Sequence, residues 1–380
     1  MPVDATTPIH QAHIIEVGSS YEQYVGRVDN PDPSKSEAEA ETFILPLLWP
    51  SYSPLTVQRF LEDLSSTTTD FKTLTNLSHF CDRSSVIALT QYYSCTLLRA
   101  PPRYGKTSIV SMLSYFYDVR HKDDFAYAFR YSEDMSTWMP NNHYVLKLEF
   151  GSLDVKSQDF NLNDELNKAL EDFVKQYSLL PEGKEWKELE DKDPVTTLSN
   201  VMSVTRPRKH GLVVLVDDYD SPFWAAYEFP DKRDEIKRSL YKFFGALLCW
   251  KRCQVISVIF FTGTQQILST VSEATWEEAH DIVVQEDTDK LAGFCREDVF
   301  YIANVMQWTF HGLRLAELAD EFLESEEAKE QLEQGAGWYE FSCHTVLDFF
   351  HKRLAEKGKA VTGYVPLRTE QRIVNSPIFP

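Results

Sequence analysis

The sequence predicts an α/β fold: a three-layer arrangement of a parallel sheet with helices on both faces, followed by an all-helical region. Three observations carry this prediction. The apolar segment Cys95–Leu98 is followed by a loop, by Gly105-Lys106-Thr107 and by apolar residues at helical spacing. The aliphatic run Leu212–Val216 is typical of a central parallel strand buried on both faces. Beyond Gly293 the apolar residues follow helical spacing alone.

The loop after the first strand has the composition of a phosphate-binding loop. Gly105 lets the backbone approach a phosphate, Lys106 brings a positive charge to the β- and γ-phosphates, and the Thr107 hydroxyl can coordinate Mg²⁺. The amides that open the following helix favour an anion. Ala100 stands where the full pattern has its first glycine. The predicted nucleotide-binding residues are Pro102, Arg103, Tyr104, Gly105, Lys106, Thr107 and Ser108.

Polar side chains end the two strands that follow. Asp217 and Asp218 come directly after the aliphatic run, at the carboxyl edge where open α/β sheets bind ligands. Asp217 suits an outer-sphere or water-mediated hold on Mg²⁺, and Asp218 suits orienting the attacking water. The predicted strand Val255–Gly263 has the polar residue Thr262 near its end. Either Thr262 or Thr264 is predicted to touch the γ-phosphate or its water. The predicted catalytic residues are Lys106, Asp218 and Thr262, and the predicted metal ligands are Thr107 and Asp217.

The remaining segments extend the same alternation. Further strands are predicted at 144–150 and 281–284, and helices at 162–177, 197–204 and 232–250. Helices at 296–308, 315–332 and 344–354 are predicted after Gly293, and 180–194 is predicted to be a loop. The predicted domains are a flexible polar leader at 1–42, a P-loop domain at 43–292 and a helical lid or readout region at 293–380.

Composition narrows the class of protein. The chain has 380 residues and a formal net charge of −20, which argues against nucleic-acid binding through the whole surface. Its six cysteines form no metal-binding pattern. Neither a signal peptide nor a membrane-spanning run is apparent, so an intracellular location, cytoplasmic or nuclear, is expected. The expected partners are ATP and an unidentified protein, and the sequence is compatible with an oligomer.

Several motifs in order resemble the predicted AAA-ATPase-like proteins, which are related to signal-transducing P-loop ATPases. The segments that carry the resemblance are Thr69–Leu74, Phe80–Ile87, Ala100–Thr107, Leu215–Pro222, Phe261–Gly263, Gly293–Val299 and Gly337–Ser342. They span about residues 67 to 355. The resemblance implies a P-loop fold of the AAA type that binds ATP and Mg²⁺. No pattern for the nuclease-like domain that often follows in bacterial members is found here.

Departures from the family pattern leave three functions open. Ala100 and Pro102 replace two arginines of the family loop, and Asp218 replaces a glutamate and is one methylene shorter. The leading hypothesis is a slowly hydrolysing, nucleotide-controlled ATPase switch. A nucleotide-binding scaffold with little turnover is the second, and a small-molecule kinase ranks last because no arginine-bearing lid follows the loop. Lys106→Ala is expected to leave the fold intact, on the assumption that this lysine is solvated without ligand.

Overall fold

The computed structural model describes residues 62–77, 79–130, 132, 139–264, 282–286, 292–309, 317–334 and 341–362. All of them fall within one compact unit, Leu55–Pro380. The predicted leader at 1–42 lies outside the described residues, so the proposed domain boundaries stay predictions.

Five strands form one parallel sheet, as predicted. In chain order they are β1 (Cys95–Arg99), β2 (His143–Glu149), β3 (Gly211–Asp217), β4 (Ile256–Gly263) and β5 (Val283–Glu286). Their order across the sheet is β2-β3-β4-β1-β5, and every pair of neighbours is parallel. One strand, β4, therefore lies between the strand that leads into the phosphate-binding loop and the strand that ends in the two acids. The last strand begins two residues later than predicted.

Helices connect the strands and cover both faces of the sheet. In chain order they are α1 (Phe71–Leu74), α2 (Ser85–Tyr92), α3 (Lys106–Tyr117), α4 (Phe125–Ala128), α5 (Leu162–Gln176), α6 (Pro194–Thr205), α7 (Ser221–Ala225) and α8 (Pro230–Arg252). Short 3₁₀ turns lie at Val119–His121 and at Trp186–Glu188, the latter within the predicted loop. The chain is thus an α/β P-loop NTPase-like fold followed by a helical region.

The strand β3 shows why a continuous aliphatic run was needed. Leu212, Val214 and Val216 face the core formed with α5, α6 and α8. Val213 and Leu215 face the opposite core, which is built around α3. All five side chains are buried, because a central parallel strand has helices on both sides.

The helical region contains α9 (Arg296–Thr309), α10 (Glu317–Leu323), α11 (Glu326–Gln334) and α12 (Cys343–Thr362). These helices share a separate apolar core. The single acidic helix predicted at 315–332 was wrong: the chain breaks into two helices at Ser325. The Ser325 hydroxyl accepts a hydrogen bond from the Ala328 amide at 3.2 Å, so this serine starts a new helix. Within the described part of the chain, no helix has the length and apolar character needed to cross a bilayer.

Candidate nucleotide-binding site

The phosphate-binding loop connects β1 to α3 through two residues with left-handed backbone. Gly105 caps the amino end of α3 with a φ of 80°, and Arg103 has a φ of 70°. Glycine adopts this conformation at little cost, whereas a side chain there is strained. Pro102 and Arg103 are exposed, and the half-buried members of the predicted set are Tyr104, Gly105, Thr107 and Ser108. The loop and the first turn of α3 thus present backbone amides at one helix end.

Lys106 lies inside the loop, and the expectation that it is solvated was wrong. Its side chain is only 5% exposed. The ammonium group donates hydrogen bonds to the carbonyl oxygens of Ala100 at 3.0 Å and of Pro101 at 2.9 Å. An incoming phosphate therefore competes with loop carbonyls for this lysine. Replacing Lys106 removes two donors from the loop, so a variant here needs a stability control.

Thr262 joins the two acids at the end of β3. Its hydroxyl donates to Asp217 Oδ1 at 2.6 Å and accepts from the Asp218 backbone amide at 3.0 Å. Thr262 is fully buried, and Asp217 is 5% exposed. The only hydroxyl proton of Thr262 is used in the bond to Asp217. This geometry favours a positioning role for Thr262 over a direct contact with phosphate.

Asp218 faces the loop lysine. Its Oδ1 lies 3.8 Å from Lys106 Nζ, and the side chain is about one-third exposed. Its backbone is left-handed, with a φ of 50°. Burial raises the pKa of the Asp218 carboxyl and the negative charge of Asp217 raises it further, while Lys106 opposes both. A Cβ added at Gly151 would lie 2.9 Å from Asp218 Oδ2, so this glycine leaves room for the carboxylate.

A third acid of the same turn, Asp220, holds the residue after β4. Its Oδ2 accepts hydrogen bonds from the Thr264 amide at 3.0 Å, from the Thr264 hydroxyl at 2.5 Å and from the Trp224 indole at 3.3 Å. Asp220 is 1% exposed, which suits a carboxylate with several donors. Thr264, the alternative to Thr262, is therefore fixed beside the same edge of the sheet.

Motifs that are far apart in the sequence pack against one another here. A Cβ on Gly263 would lie 2.4 Å from the ring of Tyr219, so the glycine that ends β4 is required by the turn after β3. Gly293 has a φ of 77°, and its amide donates to the Tyr104 carbonyl at 2.7 Å. A Cβ on Gly293 would lie 2.7 Å from the Tyr104 ring. The start of the helical region is thus fitted to the phosphate-binding loop.

Two further contacts connect the helical region with the loop. The Ser342 hydroxyl donates to the Arg103 carbonyl at 3.5 Å, and Cys343 Sγ lies 3.7 Å from where a Cβ on Gly105 would be. The residues before α12 therefore lie directly against the loop that would hold phosphate.

An ion pair ties this region to the segment before β1. Arg83 donates to the Gly293 carbonyl at 2.9 Å and pairs with Asp298 at 2.5 Å. The Arg83 guanidinium lowers the pKa of the Asp298 carboxyl, although burial alone would raise it. Because the pair is largely buried, removal of either partner would leave an uncompensated charge.

The comparison with known families fits this geometry. A family model described as "Predicted AAA-ATPase" matches residues 66–271, more than half of the chain. The chain belongs to this family. As a predicted AAA-ATPase it has a nucleotide-binding role, and the match covers the loop, both acids and β4. A search of curated proteins gave no match.

The residues of this predicted AAA-ATPase suit Mg²⁺ with a bound nucleotide. The hydroxyl of Thr107 and the carboxylate of Asp217 are hard oxygen donors, which Mg²⁺ prefers. Across the described ranges, no group of three or more His, Cys, Asp or Glu side chains is arranged to hold a metal. Mg²⁺ takes most of its ligands from phosphates and water, so two protein oxygens from Thr107 and Asp217 suit it.

Sequence reasoning missed two residues of this site. Asp220 lies in the motif that was recognised, but nothing in its spacing shows that it binds the residue after β4. Gly151 has no local signal, because its role depends on β2 lying beside β3. Both follow from contacts between segments that are distant in sequence.

Proposed function

We propose that this protein is an Mg²⁺-dependent, slowly hydrolysing ATPase that acts as a nucleotide-controlled switch. One observation supports it most: Thr262 bonds to the Asp217 carboxylate and to the Asp218 amide, and Asp218 Oδ1 lies 3.8 Å from Lys106 Nζ. A positive charge, a metal-holding acid and a water-orienting acid are the parts that phosphoryl transfer to water needs.

Binding begins at the phosphate-binding loop. The amides at the start of α3 bind phosphate oxygens, and Lys106 leaves the carbonyls of Ala100 and Pro101 to pair with the β- and γ-phosphates. Mg²⁺, held on the protein side by Thr107 and Asp217, would neutralise charge on the phosphates. Thr262 keeps the Asp217 carboxylate in place.

Asp218 then orients the attacking water and accepts its proton. An aspartate falls short of a glutamate at this position by about 1.5 Å, the length of one C–C bond. A misplacement of this order costs roughly a hundredfold in rate. The chemical step is therefore expected to be slow and to limit turnover.

The switch follows from the contacts of the helical region. Gly293, Ser342 and Cys343 all lie against residues 103–105 of the loop. Phosphate binding reorganises that loop, so the contacts differ between the empty and the nucleotide-bound states. The helices after Gly293 would then report the nucleotide state to a protein partner.

Calorimetric titration with MgATP tests the binding claim. Lys106→Ala should abolish or strongly weaken binding, while Lys122→Ala, which changes an exposed lysine in the turn beyond the carboxyl end of α3, should bind as the parent does. Urea unfolding of both variants controls for the lost loop hydrogen bonds. Equal MgATP affinity in a folded Lys106→Ala variant and the parent would refute the site. Asp217→Asn should weaken only the Mg²⁺-dependent part of the binding.

Single-turnover hydrolysis separates the ATPase from a scaffold. The short side chain of Asp218 favours the scaffold alternative, because it reaches an attacking water less easily than a glutamate would. Asp218→Glu should raise hydrolysis, and Asp218→Asn should trap bound ATP. A parent protein that binds MgATP without releasing phosphate would establish the scaffold.

A further inference from the structure

The register of the edge strand brings another carboxylate to the hydrolytic end of the sheet. Glu149, the last residue of β2, is paired with Asp217 of β3. Residues paired across neighbouring strands project from the same face and are separated by about 5 Å. Asp217 in turn bonds to Thr262 of β4. The three side chains form a row across the carboxyl edge of the sheet.

This row lies on the face of the sheet that carries the phosphate-binding loop and α3. Val145 of β2 and Leu215 of β3 are buried in the core around α3. Side chains alternate along a strand, so Glu149, four residues after Val145, and Asp217, two residues after Leu215, project from that face. Leu148 belongs to the opposite core. Glu149 therefore faces the side on which a nucleotide would lie.

The space above Glu149 is open. Helix α3 meets this edge of the sheet at the opposite end, where the Phe116 carbonyl accepts from the Asn141 amide just before β2 begins. The side chain of Glu149 is 55% exposed. An ion pair with Lys147, 2.5 Å away, restrains the carboxylate.

We infer that Glu149 is a second carboxylate of the hydrolytic centre and acts with Asp218 on the attacking water. The inference rests on the proposed ATPase function. Asp218 has a short side chain and a left-handed backbone. Glu149 has one more methylene and approaches from the neighbouring strand, so it can reach a water that Asp218 reaches poorly.

Hydrolysis transfers the γ-phosphoryl group of ATP to water. The water oxygen forms a bond to the γ-phosphorus while the bond from that phosphorus to the bridging oxygen breaks. The electron pair of the broken bond remains on the β-phosphate of ADP. One water proton passes to the carboxylate, and from there to the released phosphate or to solvent.

The test compares Glu149→Gln with the parent and with Asp154→Asn, which removes an exposed charge from the loop after β2. MgATP affinity is measured by calorimetry, stability by urea unfolding, and chemistry by single-turnover hydrolysis. Glu149→Gln should lower the single-turnover rate about a hundredfold, within the range for general bases. Its MgATP affinity should stay within twofold of the parent value. Its unfolding midpoint should equal that of the parent within error. Asp154→Asn should match the parent throughout.

The combined variant Glu149→Gln/Asp218→Asn adds an independent criterion. Two groups acting on one water lose activity non-additively, so the double variant should be little slower than the slower single variant. A Glu149→Gln rate within threefold of the parent, or a loss of MgATP affinity that accounts for the slower rate, would overturn the inference.

The outcomes also separate this inference from the proposed function. A parent that binds and hydrolyses MgATP, with Glu149→Gln unaffected, refutes the role of Glu149 alone. A parent that binds MgATP without hydrolysing it refutes the role of Glu149 and the hydrolysis, and leaves nucleotide binding intact. A parent that does not bind MgATP refutes both.

Discussion

Thr262→Val removes one hydroxyl from the centre of the site while keeping side-chain shape and strand propensity. The parent hydroxyl donates to the buried Asp217 carboxylate and accepts from the Asp218 amide. Loss of a hydrogen bond to a buried carboxylate lowers stability by about 1.5–3 kcal/mol, and loss of the acceptor for an amide lowers it by about 1 kcal/mol more. We therefore expect a loss of about 3 kcal/mol in the free energy of unfolding.

Urea unfolding at neutral pH measures this value, and Thr262→Ser is the matched control because it keeps the hydroxyl. The slope of the transition should be the same in parent and variants, so that the midpoints report stability. Thr262→Val should also weaken the Mg²⁺-dependent part of ATP binding, since Asp217 is no longer held. Neutral substitutions usually change the free energy of unfolding by up to ~0.5 kcal/mol. A Thr262→Val protein whose stability lies within this range of the parent would refute the positioning role. An equal loss of stability in Thr262→Ser would refute it as well.

Three other substitutions test separate features. Gly151→Ala should displace the Asp218 carboxylate, because the new Cβ would lie 2.9 Å from its Oδ2. Single-turnover hydrolysis should slow about tenfold, while urea unfolding should show a loss of less than about 1 kcal/mol in stability. An unchanged hydrolysis rate would contradict this prediction. Burial lowers the pKa of His79 to about 4, so the unfolded chain binds more protons below pH 6.5 and the parent should lose about 2 kcal/mol between pH 6.5 and 5. His79→Gln should flatten this loss, and equal pH dependence in both proteins would disprove it. Gly293→Ala should cost roughly 2 kcal/mol in urea unfolding, because its φ is 77° and its Cβ would lie 2.7 Å from Tyr104; a cost near zero would refute the fit of this glycine to the loop.

Local patterns predicted the fold class and the elements that flank the candidate site. The aliphatic run before Asp217 predicted a strand buried on both faces, and β3 is such a strand. The loop around Gly105 predicted a strand, turn and helix, which are β1, the loop and α3. These features depend on residues within about ten positions, so the sequence reveals them. The roles assigned to the predicted site residues remain predictions.

Tertiary structure alone decided which residues meet. Thr262 follows a strand in the sequence like many threonines, and only the placement of β4 beside β3 puts its hydroxyl on Asp217. Lys106 looked solvated because its burial comes from carbonyls of its own folded loop. Glu149 gave no signal at all, since its position depends on the register of β2 against β3. Register and strand order are set by the packing of whole faces, and a local sequence pattern does not encode them.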